Sequence, residues 1–186
     1  LNEMKECLIN SGLWNAFRTR PFNRTPGVEN EPNAIFINCC DTNPLSVDPH
    51  EIILLNQPEF DEGINIISKL FSCDINLTYQ NDNFDTSNTD INYFQFSGPH
   101  PSGLSSTHIS KISPVTLNKI VWTINYQDII SIGYLSINGK IRTSKYVSLG
   151  GPSVYEPSIL KVRIGGNIDE ITAGKIDQNS RVISGS

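Results

Sequence analysis

Gln57-Pro58-Glu59-Phe60-Asp61-Glu62-Gly63-Ile64-Asn65-Ile66-Ile67-Ser68-Lys69-Leu70-Phe71, followed two residues later by Asp74-Ile75-Asn76-Leu77-Thr78-Tyr79, decides the fold. In the first segment Phe60, Ile64, Ile67 and Phe71 recur at helical spacing on or near one face. In the second the side chains alternate with the period of a strand. Upstream, Ala34-Ile35-Phe36-Ile37 is a short apolar run after Pro32-Asn33 and reads as a buried strand. Asp48 is placed to cap a helix whose first position is Pro49 and which runs on through Glu51–Leu55. Downstream, Ile91–Phe96 and Val121–Ile124 read as further strands, and Tyr126–Leu135 reads as a helix closed by an Asn138-Gly139 turn. Strands alternating with helices give an α/β fold class with a largely parallel sheet.

Outward from this centre, Leu1–Leu13 has a helical period, and Arg18-Thr19-Arg20-Pro21-Phe22 opens a polar loop that runs to Pro32. Residues 80–90 are rich in Asn, Asp, Ser and Thr and read as an exposed loop. From residue 145 the texture changes. Lys145–Leu149 and Ile159–Ile164 read as strands ended by Gly150-Gly151-Pro152 and Gly165-Gly166-Asn167. A short helix, Asp169–Ala173, and a closing strand, Arg181-Val182-Ile183, complete a ββαβ module. The expected division is therefore 1–144 and 145–186. A start at Leu1 and an end on Ser184-Gly185-Ser186 suggest a fragment of a longer chain.

The 186 residues are 38% hydrophobic and 18% charged, which places the chain among globular proteins rather than disordered ones. A net charge of −5 with scattered Lys and Arg argues against nucleic acid as a partner. Cys7, Cys39, Cys40 and Cys73 form no ligand spacing, so no metal or iron–sulfur site is expected. Adjacent Cys39 and Cys40 read as buried free thiols. No run approaches the ~18 apolar residues of a membrane-spanning helix.

The segment that stands out chemically is Ser97-Gly98-Pro99-His100-Pro101-Ser102-Gly103 with Thr107-His108. It follows an expected strand, where open α/β sheets place ligand crevices. Gly98 and Gly103 permit close approach, and Pro99 stiffens the backbone. His100 and His108 could relay a proton or hydrogen-bond a ring carbonyl; equally, they could satisfy backbone groups in a rigid turn. Asp41 and Asn43, at the end of the first strand, could shape the same crevice or simply form an Asx turn. Arg18 and Arg20 could pair with an anionic group or stand as a solvated pair. Trp14 with Phe17, and Trp122 with Tyr126, read as core aromatics. No residue completes a catalytic triad, and no GxGxxG or P-loop spacing is present.

Arg18–Phe22, Asp41-Thr42-Asn43-Pro44-Leu45, Phe96–Gly103, Asn125-Tyr126-Gln127-Asp128, Leu149–Pro152 and Arg181–Ser186, in this order, resemble the A-subunit family of the sodium-translocating NADH:quinone reductases. The resemblance covers nearly the whole chain. It implies a Rossmann-like domain similar to the flavin-binding domain of complex I, followed by part of a β-grasp, soluble-ligand-binding module. It implies a peripheral component on the cytoplasmic face of the bacterial inner membrane. That component would belong to a six-subunit complex that passes electrons from NADH to ubiquinone and exports sodium. Its chief partner would be the membrane-embedded B-subunit, with ubiquinone nearby. FAD, FMN, riboflavin and the 2Fe–2S centre would belong to the other subunits, and no cofactor or catalytic residue is expected here. The quinone- or partner-facing candidates are Gly98, Pro99, His100, Gly103, Thr107, His108, Asp41 and Asn43. Ser110 stands where that family commonly has a further histidine. The alternative is a domain that binds flavin or quinone in its own right.

Overall fold

The computed structural model describes residues 2–85, 88, 90–116 and 119–185; expectations placed on Leu1, Ser186 and residues 86, 87 and 89 lie outside these. A five-stranded sheet organises the first three quarters of the chain. Its strands are β1 (Arg18–Arg20), β2 (Ala34–Cys39), β3 (Asp74–Tyr79), β4 (Asn92–Gln95) and β5 (Val121–Asn125), in the spatial order β1-β5-β2-β3-β4. Neighbours among β5, β2, β3 and β4 are parallel, whereas β1 pairs antiparallel with β5, Thr19 opposite Trp122. The sheet is thus mixed. The expected polar loop at Arg18–Arg20 is instead an edge strand, made by pairing with residues more than a hundred positions away.

Strand β2 shows why both faces are covered. Ile35, Ile37 and Cys39 point into the larger core; Ala34 and Phe36 point into a smaller one with Ile109 and Val121. A buried strand of a parallel sheet needs apolar side chains on both sides, and this one has them. The larger core is roofed by α2 (Pro49–Leu54), α3 (Gln57–Leu70) and α5 (Tyr126–Asn138), with α1 (Asn2–Asn10) and a 3-10 turn at Leu13–Ala16 alongside. As expected, Asp48 caps α2 by accepting from the His50 amide, with Pro49 in the first turn. Gly139, with φ +63°, ends α5. Trp14, Phe17, Phe71 and Trp122 meet with ring centroids 5.3 to 6.1 Å apart, so the aromatic pairs serve the core.

The opposite face is covered by α4 (Ser105–Ile112), a helix that the sequence pattern does not announce. It is short and polar, and Ile109 and Ile112 are its only apolar anchors. The 80–90 connection is not bare loop either, since Phe84 stacks on Tyr79 at 5.1 Å and packs against the core.

Beyond residue 143 lies an antiparallel hairpin, β6 (Ser144–Leu149) with β7 (Ser158–Arg163), followed by α6 (Ile168–Thr172). The expected closing strand at Arg181–Ile183 is not formed. Instead an isolated bridge joins Val154 to Ile176, and residues 181–183 carry no ladder partner. The hairpin needs only its own two strands, but nothing among the described residues offers Arg181–Ile183 a neighbour.

Candidate functional site

The chain leaves β2, builds β3 and β4 on one side, and returns through α4 to lay β5 on the other side. Connections therefore diverge above the carboxyl ends of β2 and β5, the switch point where open α/β sheets form their crevices. Two structures occupy that edge of the sheet.

The first is a crest made by the segment singled out in the sequence. Gly98, with φ +116°, Pro99 and His100 are exposed at its tip, while Gly103 and His108 are buried at its base. Ser102 donates to the Gly98 carbonyl (2.7 Å), and Thr107 donates to that of Pro101 (2.9 Å). The crest is stitched to the loop after β2: Thr42 Oγ1 accepts from the Gly103 amide (3.0 Å) and lies 3.2 Å from His100 Nδ1. Asn38 Nδ2 donates to the Gly103 carbonyl and to Ser105 Oγ, both at 3.1 Å. A Cβ on Gly103 would press into Thr42, so glycine is needed for this approach. Asp41 and Asn43 flank Thr42 in the loop that holds the crest. Asp41 Oδ1 accepts from both the amide and the side chain of Asn43 (3.0 and 2.8 Å), which is an Asx turn.

The two histidines part company. His108 is 1% exposed. Its Nε2 lies 2.7 Å from the Ser102 carbonyl and its Nδ1 lies 2.9 Å from Thr78 Oγ1. A carbonyl can only accept, so Nε2 carries the proton and Nδ1 accepts from the Thr78 hydroxyl. Burial lowers the affinity of this imidazole for a second proton, only partly offset by the Ser102 bond. His108 is a neutral fastener packed against Phe96, ring centroids 4.2 Å apart and planes tilted by 44°.

The second structure is a cleft of about 480 Å³ beside the crest, at the switch point proper. Arg18, Asn38, Ser105, Asn125 and Asp128 give it a polar wall. Asn125 caps α5 by accepting from the Gln127 amide at 2.9 Å. Asp128 sits in the first turn of that helix. Burial pushes its carboxyl above the ordinary range, and Lys145 and Arg18 pull it back. Arg18 Nη1 donates to Thr25 Oγ1 at 2.7 Å, whereas the buried Nε of Arg20 has no partner among the described residues. Of this wall, only Arg18 stood out in the sequence as a candidate. The others come from three places in the chain, Asn38, Ser105 and the Asn125–Asp128 stretch, and the signal that could have found them was topological: residues at the ends of β2 and β5, where these strands adjoin.

The cysteines are unpaired. Burial pushes Cys39 up strongly, Cys40 to about 12 and Cys73 to about 11. Among the described residues no group of three His, Cys, Asp or Glu side chains could hold a metal ion. No described helix is long and apolar enough to cross a membrane.

Against known proteins, residues 1–141 match the family model described as "NqrA second alpha/beta domain", and residues 146–186 match "NQRA C-terminal domain". The chain is 43% identical over 190 residues to the A-subunit of the Na(+)-translocating NADH-quinone reductase of Glaesserella parasuis serovar 5, covering all of this chain and 42% of that protein. It is 46% identical over 187 residues to the corresponding protein of Neisseria gonorrhoeae, and 41% to that of Yersinia pestis bv. Antiqua. Each of these two matches covers 99% of this chain and 42% of the relative. The chain therefore spans less than half the length of these curated relatives.

Proposed function

This chain belongs to the A-subunit family of the Na(+)-translocating NADH-quinone reductases, and from that premise we propose that it is a scaffold and docking segment of such a complex. In this reading the complex passes electrons from NADH to ubiquinone and exports sodium. The chain lies on the cytoplasmic face of a bacterial inner membrane, seated on the membrane-embedded B-subunit. Residues 1–144 form a Rossmann-like layer and residues 145–186 begin a β-grasp module. FAD, FMN, riboflavin and the 2Fe–2S centre reside in the companion subunits.

One observation carries the scaffold role: the polar groups of the crest are spent on one another. His108 uses both ring nitrogens internally, Thr42 serves Gly103 and His100, and Asn38 holds Gly103 and Ser105. Such a crest spends its buried polar groups on holding its own shape and presents Gly98–His100 at its tip. Replacing His100 by Ala in the intact complex should lower quinone reduction or assembly while NADH oxidation by artificial acceptors continues. Unchanged quinone kinetics with normal assembly would remove His100 from the interface.

The switch-point cleft favours a second reading, a domain that holds flavin or quinone itself. Titrating the chain with a short-chain quinone while following Trp fluorescence separates the two. Saturable quenching, or a yellow purified protein, supports the second; an unresponsive, colourless one supports the first.

A further inference from the structure

The crest spends its polar groups on itself, but the cleft beside it does not. On the cleft wall Asn38 is fully committed, Nδ2 to Gly103 and Ser105 and Oδ1 to the Cys40 amide (2.9 Å). Thr123 donates to the Arg18 carbonyl (3.4 Å). Asn125 and Asp128 differ. Asn125 Oδ1 caps α5 at the Gln127 amide, which leaves Nδ2 a donor without an acceptor among the described residues. Asp128 is half-buried in the same cleft, and its carboxylate accepts no hydrogen bond among those residues. The cap residue and the residue three positions on have neighbouring side chains, the geometry that capping boxes use. A donor and an acceptor, both uncommitted, therefore stand side by side on one wall.

We propose that this cleft holds a heterocycle by an edge on which a carbonyl and an N–H stand side by side, as in an imide: Asn125 Nδ2 donates to the carbonyl, and the Asp128 carboxylate accepts from the N–H. The proposal rests on the second reading above, that the cleft holds a ring, and narrows the ring's chemistry. A quinone presents carbonyls alone. It would satisfy Asn125 and leave a half-buried carboxylate facing an acceptor. An imide carries a second carbonyl beyond its N–H, and other walls offer donors for it. The Ser105 hydroxyl accepts from Asn38 and keeps its own proton to give, and Arg18 retains N–H groups beyond the one bonded to Thr25. Leu13, Ala16 and Ile124 add apolar surface for the face of a ring, and about 480 Å³ lies within the range of small-molecule sites. A site that reads an N–H rejects ligands lacking it more sharply than one that reads apolar shape, because the unmatched group stays unpaired. Flavins and uracil-type nucleosides share this edge.

The test is an NMR titration of the 186-residue chain that follows the Gln127, Asp128 and Ile129 amides. The ligands are riboflavin, uridine, the N3-methyl derivative of each, and a short-chain quinone. Riboflavin or uridine should shift these amides saturably, and N3-methylation should weaken that binding at least about tenfold. The quinone should bind no better than the methylated forms. Asp128→Leu, which removes the acceptor at similar size, should erase the difference between each ligand and its N3-methyl form. Asn125→Asp, which keeps an acceptor to cap α5 and removes the donor, should weaken both forms. Riboflavin ahead of uridine assigns the edge to a tricyclic ring, and the reverse order assigns it to a single one. If the quinone alone binds, if N3-methylation changes nothing, or if Asp128→Leu leaves the difference intact, the imide edge is overturned while the second reading stands. If none of these ligands moves the three amides, both fall.

Discussion

The crossing of α3 and α5 and the seam under β6 hold two parts of one chain by opposite means. Where α3 meets α5, Gly63 and Gly133 let backbone lie on backbone: a Cβ on Gly133 would collide with the Glu59 carbonyl, and one on Gly63 with that of Ile129. Phe60, Ile64, Ile67, Ile129 and Ile130 are buried around them. In the hairpin module, by contrast, Thr172 is the only buried residue among those described beyond Tyr146. That module is held by the Gln127 carboxamide, which bonds the amide and carbonyl of Tyr146, by Arg142 over the Tyr146 ring, and by Leu45 lying over Gly150. Packing without clearance tolerates no added atom, whereas a polar seam tolerates added atoms and is sensitive to lost partners.

The sharpest way to break this contrast is to add one methyl group to each region. Gly133→Ala should cost about 3 kcal/mol or more in urea denaturation, because neither helix can retreat from the sheet. Gly174→Ala, past α6 at φ +70° with open space around it, should cost only about 1 kcal/mol. Equal losses at the two sites would mean that the helix crossing has slack.

A smaller effect is expected at the crest. His108→Ala leaves the Thr78 hydroxyl and the Ser102 carbonyl without their ring partner and empties the space against Phe96. The loss should be about 2 kcal/mol, again by denaturant titration. His100→Ala, at the exposed tip, should stay within about 0.5 kcal/mol. If the two lose stability equally, the buried and exposed histidines are not distinct in role.

The smallest effect is a dependence on pH. Asp128 has a raised carboxyl pKa in the folded chain, so between the unfolded and folded values the native state holds the extra proton. Stability from this group is complete below the unfolded value and is lost as pH rises through the folded one. Asp128→Asn should therefore flatten the fall of global stability across that window in thermal unfolding at a series of pH values. A slope that is the same in Asp128→Asn would remove this carboxyl from the pH dependence.

Much of the sheet domain could be read directly from the chain. The runs at Ala34–Ile37, Asp74–Tyr79 and Val121–Ile124, and the helical faces of 57–70 and 126–135, carry their own periodicity and caps. Strand β1 could not be read, since three residues before Pro21 have no pattern until β5 arrives to pair with them. Helix α4 hid behind Ser105-Ser106-Thr107, which look like loop, and Leu104 supplies no capping side chain. The crest was found because glycine, proline and histidine cluster in sequence. The cleft was missed because its wall is assembled from residues scattered between Gly12 and Asp128. Clustering marks a turn, and only topology marks a crevice.

The carboxamide of Gln127 has one more consequence. An exposed strand edge invites other chains to add themselves to it, and β6 would offer its midpoint at Tyr146, where both main-chain groups point away from β7. With these groups already taken, an intruding strand must surrender two hydrogen bonds before it gains any. A single side chain thereby guards the chain against edge-to-edge aggregation along β6.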